Sequence, residues 1–272
     1  MFEEHPTFKK PDNENSPIWR YMNLPKFISL LDKKSLFFTR ADKFQDPYEG
    51  ILPKFNELKN NRFDIYQHVI SKFKTNQEFE KTIQETIPNS MKYTLNELKK
   101  ITLINSWYMS NYQSAAMWDL YSHKNSGIAI QSTYKNLKSS FDNNHEDTIW
   151  IGKIKYIDYE KEWMDEWNLY EAFAIKRKSF EHEQEIRAVT SLPDRIGPSV
   201  YNPQKPKKEP RKIDTSKLTS VGKYVEVDLD ILIDRIYLTP FSSPDFHKVI
   251  LTLLKKYELE KNISISELYK VT

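Results

Sequence analysis

The chain has 272 residues, of which 39% are hydrophobic and 14% aromatic, so it is long and apolar enough to form a packed core. Its 41 basic and 38 acidic residues leave a formal net charge of +3, which argues against a general nucleic-acid coat protein. The absence of cysteine excludes disulfides, thiolate catalysis and cysteine-ligated zinc.

The hydrophobic pattern predicts a single α+β domain of the mixed-sheet type over residues 16–272, preceded by a polar, mobile arm over residues 1–15. The first half is predicted to hold a strand over 18–22, a helix after Leu24, a strand over 35–39, a charged helical insertion over about 54–100, a strand over 101–109, a helix capped by Ser114, a strand over 127–132 and a helix over 134–141. The second half is predicted to hold a strand over 149–157, an aromatic-rich helix over 160–174, a strand containing Glu183, a basic, proline-rich loop over about 200–217, strands over 224–228 and 233–238, a helix over 243–257 and an edge strand over 263–265.

Other residue types narrow the possible functions. The five glycines are too scattered to build a Gly-rich phosphate loop, which makes kinases, ATPases and Rossmann dehydrogenases unexpected. The six histidines form no His-x-His or His-x-x-x-His pair that would indicate a metal site. The amino terminus lacks the features of a secretory signal, and no run approaches the roughly 20 apolar residues that a membrane span needs. We therefore expect a cytoplasmic protein without a membrane partner.

The segment 183–187, Glu-Gln-Glu-Ile-Arg, is the strongest candidate for a functional site. In a strand, alternate side chains share a face, so Glu183, Glu185 and Arg187 would lie together. Two carboxylates about 7 Å apart repel each other, and a purely structural strand gains little from them. Arg187 is expected to neutralise Glu185 or Glu49. The same pattern is also typical of an exposed edge strand whose charges deter aggregation.

Three motifs, taken in order, resemble a large bacterial family whose chemistry is not established. They are Phe44-x-Asp46-Pro47-Tyr48-Glu49-Gly50, then Trp118-x-x-Tyr121 followed by Gly127-Ile128, then Glu183-x-Glu185-x-Arg187. The resemblance covers most of the chain but implies no particular activity.

The order of elements around Arg20 and Glu-x-Glu also resembles ADP-ribosyltransferases of the Arg-Ser-Glu type. This resemblance implies a fold of that layout and NAD as a substrate. It implies that Glu185 stabilises the oxocarbenium-like transition state on the nicotinamide ribose, that Glu183 orients the acceptor and that Arg20 holds a phosphate or ribose of NAD.

The same resemblance implies that an aromatic side chain stacks on the nicotinamide, and Trp107 and Tyr108 are the candidates. The Ser-Thr-Ser motif of that family is absent from this chain. The available substitutes are Ser106, Ser110 and Ser132-Thr133, of which Ser132 is assigned to cofactor binding.

The acceptor on this hypothesis is a nucleic acid or a protein. Lys176, Arg177 and Lys178 would form a basic rim that suits a nucleic acid. Trp118 and Tyr121, one helical turn apart, would form a stacking platform, although both also fit core packing. A toxin or antiphage effector of this kind would have an antitoxin protein as a partner.

Two other functions remain open from the residues alone. A metal-dependent nuclease would use the carboxylates of Asp46, Glu49, Glu183 and Glu185 as ligands, with Lys176 nearby. A non-catalytic recognition module would instead use the aromatic faces to bind a protein or a nucleic-acid strand.

Overall fold

The structure, a computed structural model, describes residues 1–54, 56, 92–122, 125–144, 146–164, 168–192 and 219–271. The basic loop predicted over about 200–217 lies outside these ranges, as does most of the insertion predicted over about 54–100. The end of that insertion that is described, residues 92–101, is helical.

The described strands and helices follow the predicted order closely. The strands are β1 (Pro17–Asn23), β2 (Ser35–Arg40), β3 (Thr102–Met109), β4 (Gly127–Thr133), β5 (Trp150–Lys153), β6 (Lys155–Ile157), β7 (Ile175–Arg177), β8 (Glu185–Ser191), β9 (Gly222–Glu226), β10 (Arg235–Leu238) and β11 (Asn262–Ile265). Apart from the helical residues 92–101, the described helices are α1 (Leu24–Lys33), α2 (Ala115–Tyr121), α3 (Tyr134–Ser139), α4 (Leu229–Leu232) and α5 (Pro244–Lys256). Short 3-10 helices cover Ala41–Lys43, Leu169–Phe173 and Lys178–Glu183.

The main sheet runs in the order β11-β10-β4-β1-β3-β2-β9, and β8 pairs with β3 and with β5. Its described pairs are antiparallel, except that β10 and β11 run parallel. Strands β6 and β7 form a separate parallel pair. The fold is therefore α+β with a mixed sheet, as the sequence predicts.

Strand β3 has three neighbours, and the sheet forks at it. Along one edge, β8 pairs with β3 over residues 102–108. Along the other edge, β1 pairs only with residues 108–109 and β2 only with residues 103–104. Side chains therefore bridge the middle of that edge, residues 105–107, and one of them is Arg20.

The two faces of β3 and β8 differ because side chains alternate along a strand. Trp107 and Ile186 are cross-strand partners on the face that packs into the largest hydrophobic core, together with α1, α3 and α5. On the opposite face, Ile104 belongs to a second core and Tyr108 packs against a third. Ser106 lies between them in sequence, so the polar site described below falls between two apolar clusters.

Helix α1 follows directly from its sequence. Asn23 caps it by accepting a hydrogen bond from the backbone N–H of Lys26, and a proline occupies the first turn, where no backbone donor is needed. Phe27, Leu30 and Leu31 recur at helical spacing and are buried in the largest core. This packing holds α1 against one face of the sheet, over β1, β2 and β4.

The prediction of a mobile arm over residues 1–15 is wrong. Phe8 is 4% exposed and lies in the second core. The backbone N–H of Glu3 donates to Ile149 O at 2.9 Å, and that of Lys153 donates to Lys9 O at 2.8 Å. A Cβ at Gly152 would lie 2.4 Å from the backbone of Phe8, so only glycine permits this approach. The segment is polar in sequence, yet its few apolar residues anchor it.

Three further local predictions are corrected by the structure. Residues 160–174 do not form one helix, because the described part consists of a turn and the 3-10 helix Leu169–Phe173. The strand predicted over 149–157 is two short strands, β5 and β6. Glu183 ends a 3-10 helix rather than lying in a strand, since Gln184 has a φ of 38° and β8 begins at Glu185.

Candidate functional site

Arg187 lies at the centre of the site and is fully buried. Its Nε donates to Glu185 Oε1 at 2.7 Å and its Nη2 to Glu185 Oε2 at 3.1 Å. Nη1 and Nη2 donate to the two carboxylate oxygens of Glu49 at 2.5 and 2.8 Å, and Nη1 also donates to Phe173 O at 3.0 Å. All five N–H groups of the guanidinium are thus used. Arg187 therefore holds two carboxylates in place and has no donor left for a ligand.

Glu185 is the first residue of β8 and is 5% exposed. Its backbone N–H donates to Tyr156 Oη at 2.8 Å, which fixes the start of the strand. Burial alone would raise the pKa of Glu185, but the charges of Arg187 and Lys176 outweigh it and lower that pKa to about 2. The site thus holds an ionised carboxylate in a nearly dry position.

Lys176 joins the two acidic residues of the Glu-x-Glu segment. Its Nζ donates to Glu183 Oε2 at 2.5 Å and to Glu185 Oε2 at 3.4 Å. Tyr121, at the end of α2, lies close to both carboxylates, and desolvation together with their charges raises its pKa to about 12. Glu183 and Glu185 therefore come together as predicted, although a lysine rather than a shared strand face connects them.

The predicted basic rim is largely neutralised within the structure. Lys176 is 8% exposed and paired with the two glutamates. Arg177 donates to Asp46 Oδ1 at 2.9 Å, and its guanidinium carbon lies 4.0 Å from the ring centre of Tyr48. Lys178 alone of this run is exposed to solvent. Because two of the three charges are paired, the run offers little free positive charge to a nucleic acid.

Arg20 reaches from β1 across the fork to β3. Its Nη1 donates to Asn105 Oδ1 at 3.1 Å and to the backbone carbonyl of Ser106. Among the described residues, no carboxylate forms an ion pair with Arg20. Desolvation lowers the pKa of its guanidinium to about 10, although the charge interaction with Tyr121 acts to raise it. Arg20 is therefore a half-buried, positively charged group without a counter-ion in the described part of the chain, which is a suitable environment for an anion.

Arg20 and Glu185 lie on opposite faces of the sheet, since Arg20 is the cross-strand partner of the core residue Ile130 whereas Glu185 is that of Tyr108. Ser106 interacts with both. Its backbone carbonyl accepts from Arg20, and its side chain lies on the same face of β3 as Arg187, its cross-strand partner. The buried Oγ has no hydrogen-bond partner in the described structure, but it is close enough to Glu185 to help lower the pKa of that carboxyl. The hydroxyl therefore helps to stabilise the ionised form of Glu185.

Three residues assigned to ligand binding from sequence lie in the core instead. Trp107 is 1% exposed because its register places it opposite Ile186, on the face of the largest core. Ser132 is fully buried on that same face, opposite Ile18, and its hydroxyl donates to the backbone of Thr133. Trp118 is 4% exposed and packs edge-on against Tyr21, with the two ring centres 4.9 Å apart. These three assignments are wrong, since none of the side chains reaches Glu185.

Two aromatic residues from the prediction do lie at the site. Tyr108 is the cross-strand partner of Glu185, and the two side chains share a face of the sheet. Tyr108 is half-buried against the third core, and Tyr121 is 47% exposed. Both rings therefore border the carboxylate and keep an exposed part. Sequence reasoning missed Tyr156, since nothing in its local pattern indicates that it contacts Glu185.

The arrangement does not favour a metal centre. Each carboxylate that a nuclease would use is already paired: Asp46 with Arg177, Glu183 with Lys176, and Glu49 and Glu185 with Arg187. Within the described ranges, no group of three or more His, Asp or Glu side chains is arranged to hold a metal ion.

Comparison with protein-family models, with curated proteins and with solved structures finds no match for this chain. None of the helices in the described ranges has the length and hydrophobicity that crossing a bilayer requires. The function is therefore inferred from the geometry of the site.

Proposed function

We propose that the protein transfers ADP-ribose from NAD to a nucleic-acid or protein acceptor, and that it acts as a toxin or antiphage effector. The observation that carries the proposal is the Glu185 carboxylate, which Arg187 and Lys176 keep ionised and fixed in a nearly dry position. Glycosidic cleavage builds positive charge on a ribose, and a preorganised negative group stabilises that charge best where water is excluded.

In the proposed reaction, the bond between the nicotinamide nitrogen and the ribose carbon breaks, and its electron pair leaves with neutral nicotinamide. Glu185 stabilises the positive charge that develops on the ribose. The nucleophile of the acceptor then forms a bond to the same carbon, and its proton passes to Glu183, which Lys176 holds beside Glu185. The reaction requires neither a metal nor a cysteine.

Binding of NAD is proposed to use polar and aromatic groups around the fork of the sheet near Glu185. Arg20 lacks a carboxylate among the described residues and is suited to a phosphate oxygen. The hydroxyl of Ser106 is buried beside Glu185, so its proposed part is to hold that carboxylate rather than to bind a ribose hydroxyl. Tyr108 and Tyr121 are the rings able to stack on nicotinamide or on the acceptor.

The experiment is incubation of the purified protein with labelled NAD and a mixture of cellular RNA, DNA and protein. We expect label in one fraction, together with release of nicotinamide. Glu185→Gln keeps the shape of the side chain but removes its charge, and it should lower turnover about 100-fold or more, as loss of a transition-state contact does. The matched control is Glu226→Gln, which changes an exposed glutamate on β9.

Two results would contradict the proposal. One is the absence of NAD consumption by the wild-type protein with every acceptor fraction present. The other is unchanged NAD consumption in Glu185→Gln. An antitoxin partner is tested separately, by co-purification from a cell that carries the intact locus.

A further inference from the structure

The side chain of Glu49 is 1% exposed, and it is bound to Arg187 by two hydrogen bonds. It comes from the turn after β2, whereas Arg187 lies in β8, 138 positions away in the sequence. Nothing in the proposed reaction requires a second buried carboxylate on Arg187, because one glutamate would neutralise it. The pairing offsets the cost of burying Glu49, but two carboxylates on one guanidinium leave a buried excess of one negative charge, which calls for an explanation.

The turn that carries Glu49 is built to approach Arg187 closely. Gly50 has a φ of 64°, and a Cβ at this position would lie 2.7 Å from the ring of Phe173. The backbone carbonyl of Phe173 accepts a hydrogen bond from Arg187. The glycine thus lets the turn pack directly against the residue that also binds Arg187, and this fixes the position of Glu49.

The charges in the cluster have a consequence for Glu185. Arg187 and Glu185 alone would form a neutral pair, in which the positive charge offsets the negative potential that a developing ribose cation needs. With Glu49 the three groups carry a net charge of −1, and Lys176 with Glu183 adds a neutral pair. The guanidinium of Arg187 orients Glu185, and the negative charge of Glu49 offsets the positive charge of that guanidinium.

We propose that Glu49 is a positioning residue for Glu185: acting through Arg187, it preserves the negative potential of the Glu185 carboxylate while the guanidinium holds it in place. This inference rests on the proposed ADP-ribosyl transfer. Glu49 does not touch the substrate, because Arg187 binds both of its oxygens and it is buried.

The test compares Glu49→Gln, Glu49→Asp and the wild-type protein in kcat and in KM for NAD. Glu49→Gln removes the charge and should lower kcat about 10- to 100-fold, with a smaller change in KM, because the lost potential acts mainly on the charge formed in the transition state. Glu49→Asp restores the charge and should recover at least part of kcat. If Glu49 had only a structural role, the two variants would have the same kcat once it is corrected for the fraction of folded protein.

The matched control is Asp147→Asn. The side chain of Asp147 is 3% exposed and paired with Lys223 at 2.7 Å, so it is another buried carboxylate, but it contacts none of the site residues. Its change should lower stability without lowering kcat.

The possible failures are distinguishable. A wild-type protein that consumes no NAD overturns the proposed function and, with it, this inference. A wild-type protein that consumes NAD, with Glu49→Gln at full kcat or Glu49→Asp no better than Glu49→Gln, overturns the role of Glu49 alone.

Discussion

Arg187 and Glu49 form a two-point ion pair in the interior of the protein, with Nη2 of the arginine 2.8 Å from Oε2 of the glutamate. The pair ties the turn after β2 to β8, and Arg187 also holds Glu185 through its remaining donors. The position of the candidate catalytic carboxylate therefore depends on a contact between segments far apart in the sequence.

Replacement of Arg187 by methionine should strongly destabilise the protein. The change leaves Glu49 and Glu185 buried without their main partner, and breaking a buried ion pair in this way costs about 3–5 kcal/mol. The free energy of unfolding in urea measures the effect. The exposed Arg235→Met is the control and should change stability by less than about 0.5 kcal/mol.

A triple variant, Arg187→Met with Glu49→Gln and Glu185→Gln, should recover much of the lost stability because it removes both unpaired charges. Equal stability of Arg187→Met and Arg235→Met would contradict the buried ion-pair cluster.

The stability of the protein should fall in acid because of Glu185. The folded-state pKa of this carboxyl is lowered from 4.5 to about 2, so the ionised form stabilises the fold at pH values above 4.5. This contribution is lost as the pH falls from 4.5 towards 2, and its size is on the order of 3 kcal/mol. Urea unfolding between about pH 5 and 2.5 should show a shallower pH dependence in Glu185→Gln than in the wild-type protein. Identical slopes would show that Glu185 is not held ionised.

Replacement of Arg20 by methionine should affect binding of NAD more than stability. Arg20 has no carboxylate partner among the described residues, and its acceptor Asn105 Oδ1 also receives a hydrogen bond from Trp107. We expect the free energy of unfolding to change by about 1 kcal/mol or less. We expect KM for NAD to rise roughly 10-fold to 100-fold, because that is the contribution of one hydrogen bond between charged groups.

The control for Arg20 is Lys26→Met, which removes an exposed positive charge close to Arg20. A similar rise in KM in both variants would mean that general charge, rather than a contact with Arg20, attracts NAD.

Replacement of Gly152 by alanine should release the amino-terminal segment from the sheet. The added methyl group would overlap the backbone of Phe8, and relief of such an overlap typically costs about 1–3 kcal/mol. Amide hydrogen exchange at Lys153 should rise, because its N–H donates to Lys9 O. Phe8→Ala should have the same effect by removing the anchor from the second core. Unchanged exchange at Lys153 in both variants would contradict the packing of this segment.

Several features followed from the sequence because they depend on local interactions. The helix after Leu24 was predictable from a capping asparagine, an early proline and apolar residues at helical spacing. The strand over 102–109 was predictable from a run of apolar residues. The neutralisation of Arg187 by Glu185 or Glu49 was predictable in part, and both carboxylates turn out to bind it.

Other features depended on strand register and on contacts between distant segments. Trp107 and Tyr108 are adjacent in sequence and equally aromatic, but one faces the core and the other faces Glu185, because adjacent side chains in a strand point to opposite faces. The 3-10 helix ending at Glu183 interrupts the predicted strand, so Lys176 rather than strand alternation connects Glu183 to Glu185.

The sequence by itself determined the α+β class, most of the strands and helices, and the pair of glutamates at the site, since these depend on hydrophobic periodicity, capping and residue type. Only the tertiary structure decided that Ser106 rather than Ser132 lies beside Glu185, that two of the three basic residues at 176–178 are neutralised, and that Glu49 reaches Arg187. The physical reason is that which side chains meet depends on strand register and on the packing of remote turns, neither of which is encoded in any short stretch of the chain.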